Sequence, residues 1–169
     1  LMADRERINA VLAKTLAYSE GQAFKGYNKH DALNSPLLSA LLGRSKWGRI
    51  IAIQGVMRFP VNLRPLLAVP KTYNPKGLSL FTYAYLDRAQ ALADRNAQRQ
   101  AEALLDLLNA EISLGDYAGK AWGYHYPWQD LGFFSPAKTP NAVVTSFVCE
   151  AFLQAYRVTG EARYLEIVE

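Results

Sequence analysis

The sequence predicts an all-α protein. Three observations carry that prediction. Apolar residues recur at the i, i+3, i+4 spacing in most segments, capping and breaking residues stand at the ends of those segments, and no stretch alternates convincingly as a strand would. About six substantial helices follow from this reading.

The first helix is expected from Asp4 to Tyr18, where Ile8, Val11, Leu12, Thr15 and Leu16 make the apolar side, Asp4 stands as N-cap and Gly21 as stop. Phe24 to Asn34 has no periodicity and reads as a polar loop carrying Tyr27, His30 and Asp31. Ser35-Pro36 is a cap and first-turn pair that opens a short apolar helix, Leu37 to Leu42, ended by Gly43. A further helix starts near Ser45 and stops before Pro60. Residues 59–76 hold Pro60, Pro65, Pro70 and Pro75. They form a meandering connection with one helical turn at Pro65, in which Arg64 hydrogen-bonds loop carbonyls or meets a ligand.

From Gly77 to about Ala93 the residues are apolar nearly all round, the mark of an inner helix. Asp94 caps the next helix, an outer one whose stripe is Ala101, Leu104, Leu105, Leu108 and Ile112, closed by Gly115. A long connection, Leu114 to Thr139, leads to a helix begun by Asn141 and broken at Thr159-Gly160. The last pattern, from Ala162, breaks off at Glu169 with no cap or stop signal. The sequence therefore reads as a single domain over residues 1–169, a fragment of a longer one.

Composition narrows the function classes. Half of the residues are hydrophobic and 20% are charged, which is globular and not disordered. The net charge of +4 is mild, and its densest group, Arg44, Lys46 and Arg49 around Trp47, is shorter than the basic stripe of a nucleic-acid surface. No apolar run approaches the roughly 20 residues of a membrane span. The single cysteine, Cys149, excludes an internal disulfide and reads as a small buried thiol. With a charged N-terminus lacking the apolar core of a leader, this points to the cytoplasm. No nucleic acid, membrane, metal or cofactor is expected, and a zinc site would need distant Asp residues to join His30, His125 and Cys149.

The densest chemistry lies in Trp122-Gly123-Tyr124-His125-Tyr126-Pro127-Trp128-Gln129-Asp130. A connection this long inside a compact domain is usually functional or mobile. Trp122, Tyr124, Tyr126 and Trp128 are candidates to stack on the C–H face of a sugar, with Gln129, Asn141 and Asp130 binding its hydroxyls and Tyr27 and Asn34 as further substrate-binding candidates. The alternative is a satellite apolar cluster that holds a long loop down. Asp31 and Asp130 are the candidate acid/base carboxylates, and His125 the candidate base. Glycoside hydrolysis needs two carboxylates about 5–5.5 Å apart for retention, or about 6.5–9.5 Å for inversion. Each Asp instead serves more readily to form a turn or cap a helix.

The segment from Ala151 to Leu165, with Tyr156, Thr159-Gly160 and Tyr164-Leu165, resembles the helix–turn–helix joint of α/α-toroid proteins, among them six-hairpin glycosidases and N-acylglucosamine-type epimerases. Gly26-Tyr27 with Asp31 to Ser35, and Trp122-Gly123-Tyr124 with Trp128-Gln129, are similar to a bacterial toroid family of polysaccharide clusters. The likeness covers residues 77–169 best. The break at 93–96 occupies the place of a second joint but lacks its Thr-Gly form. The resemblance implies an incomplete α/α toroid, about half of a ring of helical hairpins. It also implies a carbohydrate-active protein, glycosidase or epimerase, of polysaccharide metabolism. The loops at Tyr27 and Trp122 would face each other at its mouth, and two copies would pair to cover the open flank. The alternative is a non-catalytic module that binds a saccharide or a protein.

Overall fold

The helix starts follow from capping chemistry, because the first N–H groups of a helix have no partner within it. In the computed structural model, which describes residues 2–115 and 118–169 and side chains from residue 5, seven α-helices form. They are α1 (Met2–Gly21), α2 (Pro36–Leu42), α3 (Lys46–Arg58), α4 (Pro75–Leu92), α5 (Arg95–Ala110), α6 (Ala142–Thr159) and α7 (Ala162–Leu165). Ser35 Oγ accepts from Leu38 N at 3.2 Å, and Ser45 Oγ from Gly48 N at 2.9 Å. Asn141 Oδ1 accepts from Val144 N at 3.1 Å. Asp94 Oδ1 accepts from Asn96 N and Ala97 N, and these backbone bonds, that from Ala97 foremost, together with the Arg88 guanidinium hold its carboxyl below the usual range.

Several expected boundaries move. α1 runs from Met2 to Gly21, so Asp4 lies inside it and not at its cap; the Asp4 side chain falls outside the described residues. α4 begins at Pro75, because Asn74 Oδ1 accepts from Gly77 N at 3.2 Å and the proline takes the first turn. α5 ends at Ala110, well before Gly115, with Glu111 N returning to Leu107 O. A strand pair also appears where none was expected. β1 (Trp128–Gln129) runs antiparallel to β2 (Phe134–Ser135), too short for alternation to register in sequence.

α4 is the inner helix, packed against both α5 and α6. Its Leu78, Tyr85 and Leu86 meet the α5 stripe of Ala97, Ala101, Leu104, Leu105 and Leu108, and the α6 stripe of Val144, Val148, Ala151, Phe152 and Ala155. It is not buried all round, since Leu80 is half exposed. Buried Ser79 and Thr82 return their hydroxyls to the carbonyls of Pro75 and Leu78, each at 2.9 Å, so that α4 buries them satisfied. A second apolar cluster, Ala32, Leu33, Ala52, Ile53 and Val56 with Leu38 and Leu42, joins α3 to α2 and to a 3₁₀ turn at Asp31–Asn34. Among the described residues no helix is long and apolar enough to cross a membrane.

The two hairpin joints use one backbone device. α6 ends on Gly160 at φ +73°, and α4 ends on Ala93 at φ +51°. Both stand in the left-handed region, which glycine adopts freely and a Cβ resists. The Thr-Gly form missing from residues 93–96 is therefore present in conformation, carried by an alanine. Ala93→Gly is expected to raise stability by about 0.5–1 kcal/mol, and Gly160→Ala to lower it by about 1 kcal/mol. Urea unfolding of both variants checks this, and a destabilised Ala93→Gly would contradict the shared joint.

Candidate functional site

The loop between α1 and α2 is held by a buried ion pair. The Asp31 carboxylate is about 1% exposed, and its Oδ1 accepts from Arg64 Nε at 2.7 Å while its Oδ2 accepts from Asn28 N, also at 2.7 Å. Arg64 Nη2 donates to Asn28 O at 2.9 Å and Lys29 O at 3.3 Å. Arg64 thus binds loop carbonyls, the first of the two roles its sequence position allows. Asp31, a sequence candidate for acid/base work, spends both oxygens on this clasp. It is a structural residue in this geometry.

Across the clasp the chain forms a cleft of about 530 Å³. One wall comes from the end of α1 and the turn after it, where Ala23 and Phe24 take φ of +49° and +56° and Phe24 N donates back to Ser19 O at 2.8 Å. The next wall is the pairing of Gly26 with Thr72, whose two N–H···O bonds measure 3.1 and 3.0 Å. Asn28 stands behind it, with Oδ1 accepting from Asn74 Nδ2 at 2.7 Å. Leu78 and Phe81 of α4 form the floor, and Tyr18, Tyr27 and Asn62 also line the cleft. Tyr27 is the one sequence-predicted binding residue found here. Its ring centroid lies 5.9 Å from the Arg64 guanidinium and 5.8 Å from Lys71 Nζ.

The aromatic loop divides by burial. Trp122 is fully buried between α5 and α6, with Nε1 donating to Leu108 O at 2.7 Å and its ring 6.1 Å from Phe152. It is core and has no face to offer a sugar, against the expectation. Gly123 beside it is required by close packing: a Cβ there would meet Thr139 O at 1.9 Å, because residues 122–124 lie against residues 138–141. Gln129 is also buried and bonded at both ends, accepting from Arg49 Nε at 2.8 Å and donating to Asp130 O and Phe133 O. Asp130 Oδ1 accepts from Gly132 N at 2.6 Å and Phe133 N at 2.8 Å, the turn role weighed for it in sequence. Asn141 caps α6. Asn34 donates from Nδ2 to His125 O at 3.1 Å.

Tyr124, Tyr126, Trp128 and Asn141 do come together. They line a smaller cleft of about 220 Å³, in which the two tyrosines stack at 5.2 Å. Tyr126 is nearly buried, and burial pushes its hydroxyl pKa up. The two loops expected to face each other across a mouth instead touch. Asn34 reaches His125 O, and the His30 and Trp128 rings lie 6.2 Å apart.

His125 has a partner that sequence reading missed. Its Nε2 lies 3.4 Å from Glu111 Oε2, misaligned for a hydrogen bond, and is sealed from solvent without any other partner. Lys138 Nζ holds the same carboxylate oxygen at 2.7 Å. Burial lowers the His125 pKa, Glu111 opposes and Lys138 reinforces the lowering. Burial, aided by Lys29 and opposed by Asp31, lowers that of His30 as well. Burial raises the Cys149 pKa, which keeps that thiol protonated. Among the described residues no three His, Cys, Asp or Glu side chains gather to hold a metal ion.

Comparison with known proteins finds no matching family model, no matching curated protein and no matching solved structure.

Two predictions follow from these contacts. Breaking a buried pair strands the remaining charge, so Arg64→Met is expected to cost about 3–5 kcal/mol in urea unfolding, and a loss below about 1 kcal/mol would contradict the clasp. For both histidines the folded-state pKa is below the unfolded value of 6.5, so the unfolded chain takes up protons first. Their contribution is complete above about pH 6.5 and declines as pH falls from there toward the folded-state values. The melting temperature is expected to drop between about pH 7 and pH 5, with a shallower slope in the double variant His30→Asn, His125→Gln. An equal slope in that variant would assign the acid sensitivity elsewhere.

Proposed function

We propose that this protein is a saccharide-binding helical module of the α/α-toroid kind, working in polysaccharide metabolism. The observation that carries the reading is the cleft of about 530 Å³, which combines aromatic side chains with the amides of Asn28, Asn62 and Asn74. Aromatic faces cover the apolar side of a pyranose, and amides exchange hydrogen bonds with its hydroxyls. The two-residue joints of α4–α5 and α6–α7 support the toroid likeness.

Binding is favoured over hydrolysis or epimerisation by the state of the candidate acid/base groups. Asp31 and Asp130 are engaged in structural hydrogen bonds, and His125 Nε2 is closed off from solvent. A general acid or base must come within hydrogen-bond reach of the substrate atom it serves; the Asp31 carboxylate and His125 Nε2 do not do so without rearrangement, and Asp130 does not line the cleft.

Calorimetric titration with oligosaccharides of defined length tests the proposal. Tyr27→Ala is expected to weaken binding about tenfold, the scale of one lost aromatic contact. Unchanged affinity in Tyr27→Ala would remove the cleft from the binding site. Release of reducing ends or epimerised sugar by the wild type would restore the catalytic reading.

A further inference from the structure

The positive charge of this chain is less scattered than its modest total suggests. Between Asp31 and Asp87 every charged residue is basic. That acid-free stretch supplies the Asn62 and Lys71 to Leu78 side of the larger cleft, and the opposite side supplies Lys25. Among the described residues lining the cleft there are two lysines and no Asp or Glu.

Both lysines are positioned. Lys71 Nζ donates to Gln22 Oε1 at 2.7 Å, a bridge from the loop before α4 to the end of α1. Lys25 Nζ sits over the Tyr73 ring, 4.9 Å from its centroid. Neither makes an ion pair with a carboxylate among the described residues. Arg64, the other cation beside the Tyr27 ring, is already neutralised by Asp31. The clasp therefore consumes one positive charge and leaves two on lysines that line the cleft.

We infer that the ligand of this cleft is an anionic saccharide, its ring lying against the aromatic lining and its carboxylate or sulfate meeting Lys25 and Lys71. The inference rests on the saccharide-binding reading above and adds the charge of the ligand. An ammonium group is a compact point charge and does not impose the bidentate geometry that arginine does, so it takes a uronate carboxylate or a sulfate ester alike. The distinction between those sources belongs to the ligand series.

The test is a titration of the full chain with three oligosaccharides of matched length: an oligogalacturonate, a sulfated galactan fragment and a neutral cello-oligosaccharide. An anionic member is expected to bind at least about tenfold tighter than the neutral one, and its advantage to shrink as salt rises from about 50 to about 500 mM. Whichever anion binds tighter identifies the source of the charge. The double variant Lys25→Gln, Lys71→Gln is expected to lose about tenfold for the anion and little for the neutral sugar, while Lys25→Arg, Lys71→Arg retains anion binding. A thermal melt of each variant verifies the fold, and the wild-type salt dependence needs no variant at all. Equal affinity for neutral and anionic sugars would overturn the charge inference and leave saccharide binding standing. No binding by any of the three would overturn the saccharide reading on which it rests.

Discussion

The buried pair between Asp31 and Arg64 is the constraint on which the cleft between the end of α1 and α4 depends. It joins the loop after α1 to the proline-rich connection before α4, segments otherwise linked through the Gly26–Thr72 bridge and the Asn28 side chain. Asp31 also accepts from Asn28 N, and Arg64 donates to the carbonyls of Asn28 and Lys29, so the pair fixes the chain path as well as neutralising charge. Asn28 owes its place beside Thr72 and Asn74 to that path. A buried ion pair contributes little net stability over an apolar substitute, but breaking it is costly, which makes it a device for specifying one arrangement of two loops.

Burial sorts the aromatic residues into two kinds of work. Trp122 and Phe152 join α5, α6 and the long connection into one core. Tyr124, Tyr126 and Trp128 hold the same connection against α6 and the Asp31 turn, forming a shallow pocket on the way. The larger cleft draws its aromatics from elsewhere, from α1, the loop after it and α4. The motif richest in chemistry by sequence is thus mainly a fastening. The cleft is assembled from residues spread from Tyr18 to Phe81, each unremarkable in its own segment.

The helical architecture was largely legible in the residues, because capping and periodicity are local properties. Ser35, Ser45, Asp94, Asn141 and Gly160 all act where their chemistry suggested. The inner position of α4 was legible from its composition. The Ala93 joint was not, since an alanine gives no sign of a left-handed φ, and the start of α4 was hidden by reading Pro75 as part of a loop. Site residues fared less well for a physical reason. Whether Asp31 is a catalyst or a clasp depends on Arg64, 33 positions away, and the reach of Glu111 to His125 spans a connection with no periodicity. The one available signal for the cleft was the run without acidic residues, which local pattern reading averages into a mild total charge.

The most direct measurement of the central claim is a crystal structure of the chain with a bound oligosaccharide. A sugar ring is expected between Tyr27 and Phe81 of α4, within hydrogen-bond distance of Asn62 or Asn74, with the Asp31–Arg64 pair unbroken. A sugar seated instead among Tyr124, Tyr126 and Trp128, or one that displaces Arg64 from Asp31, would contradict it.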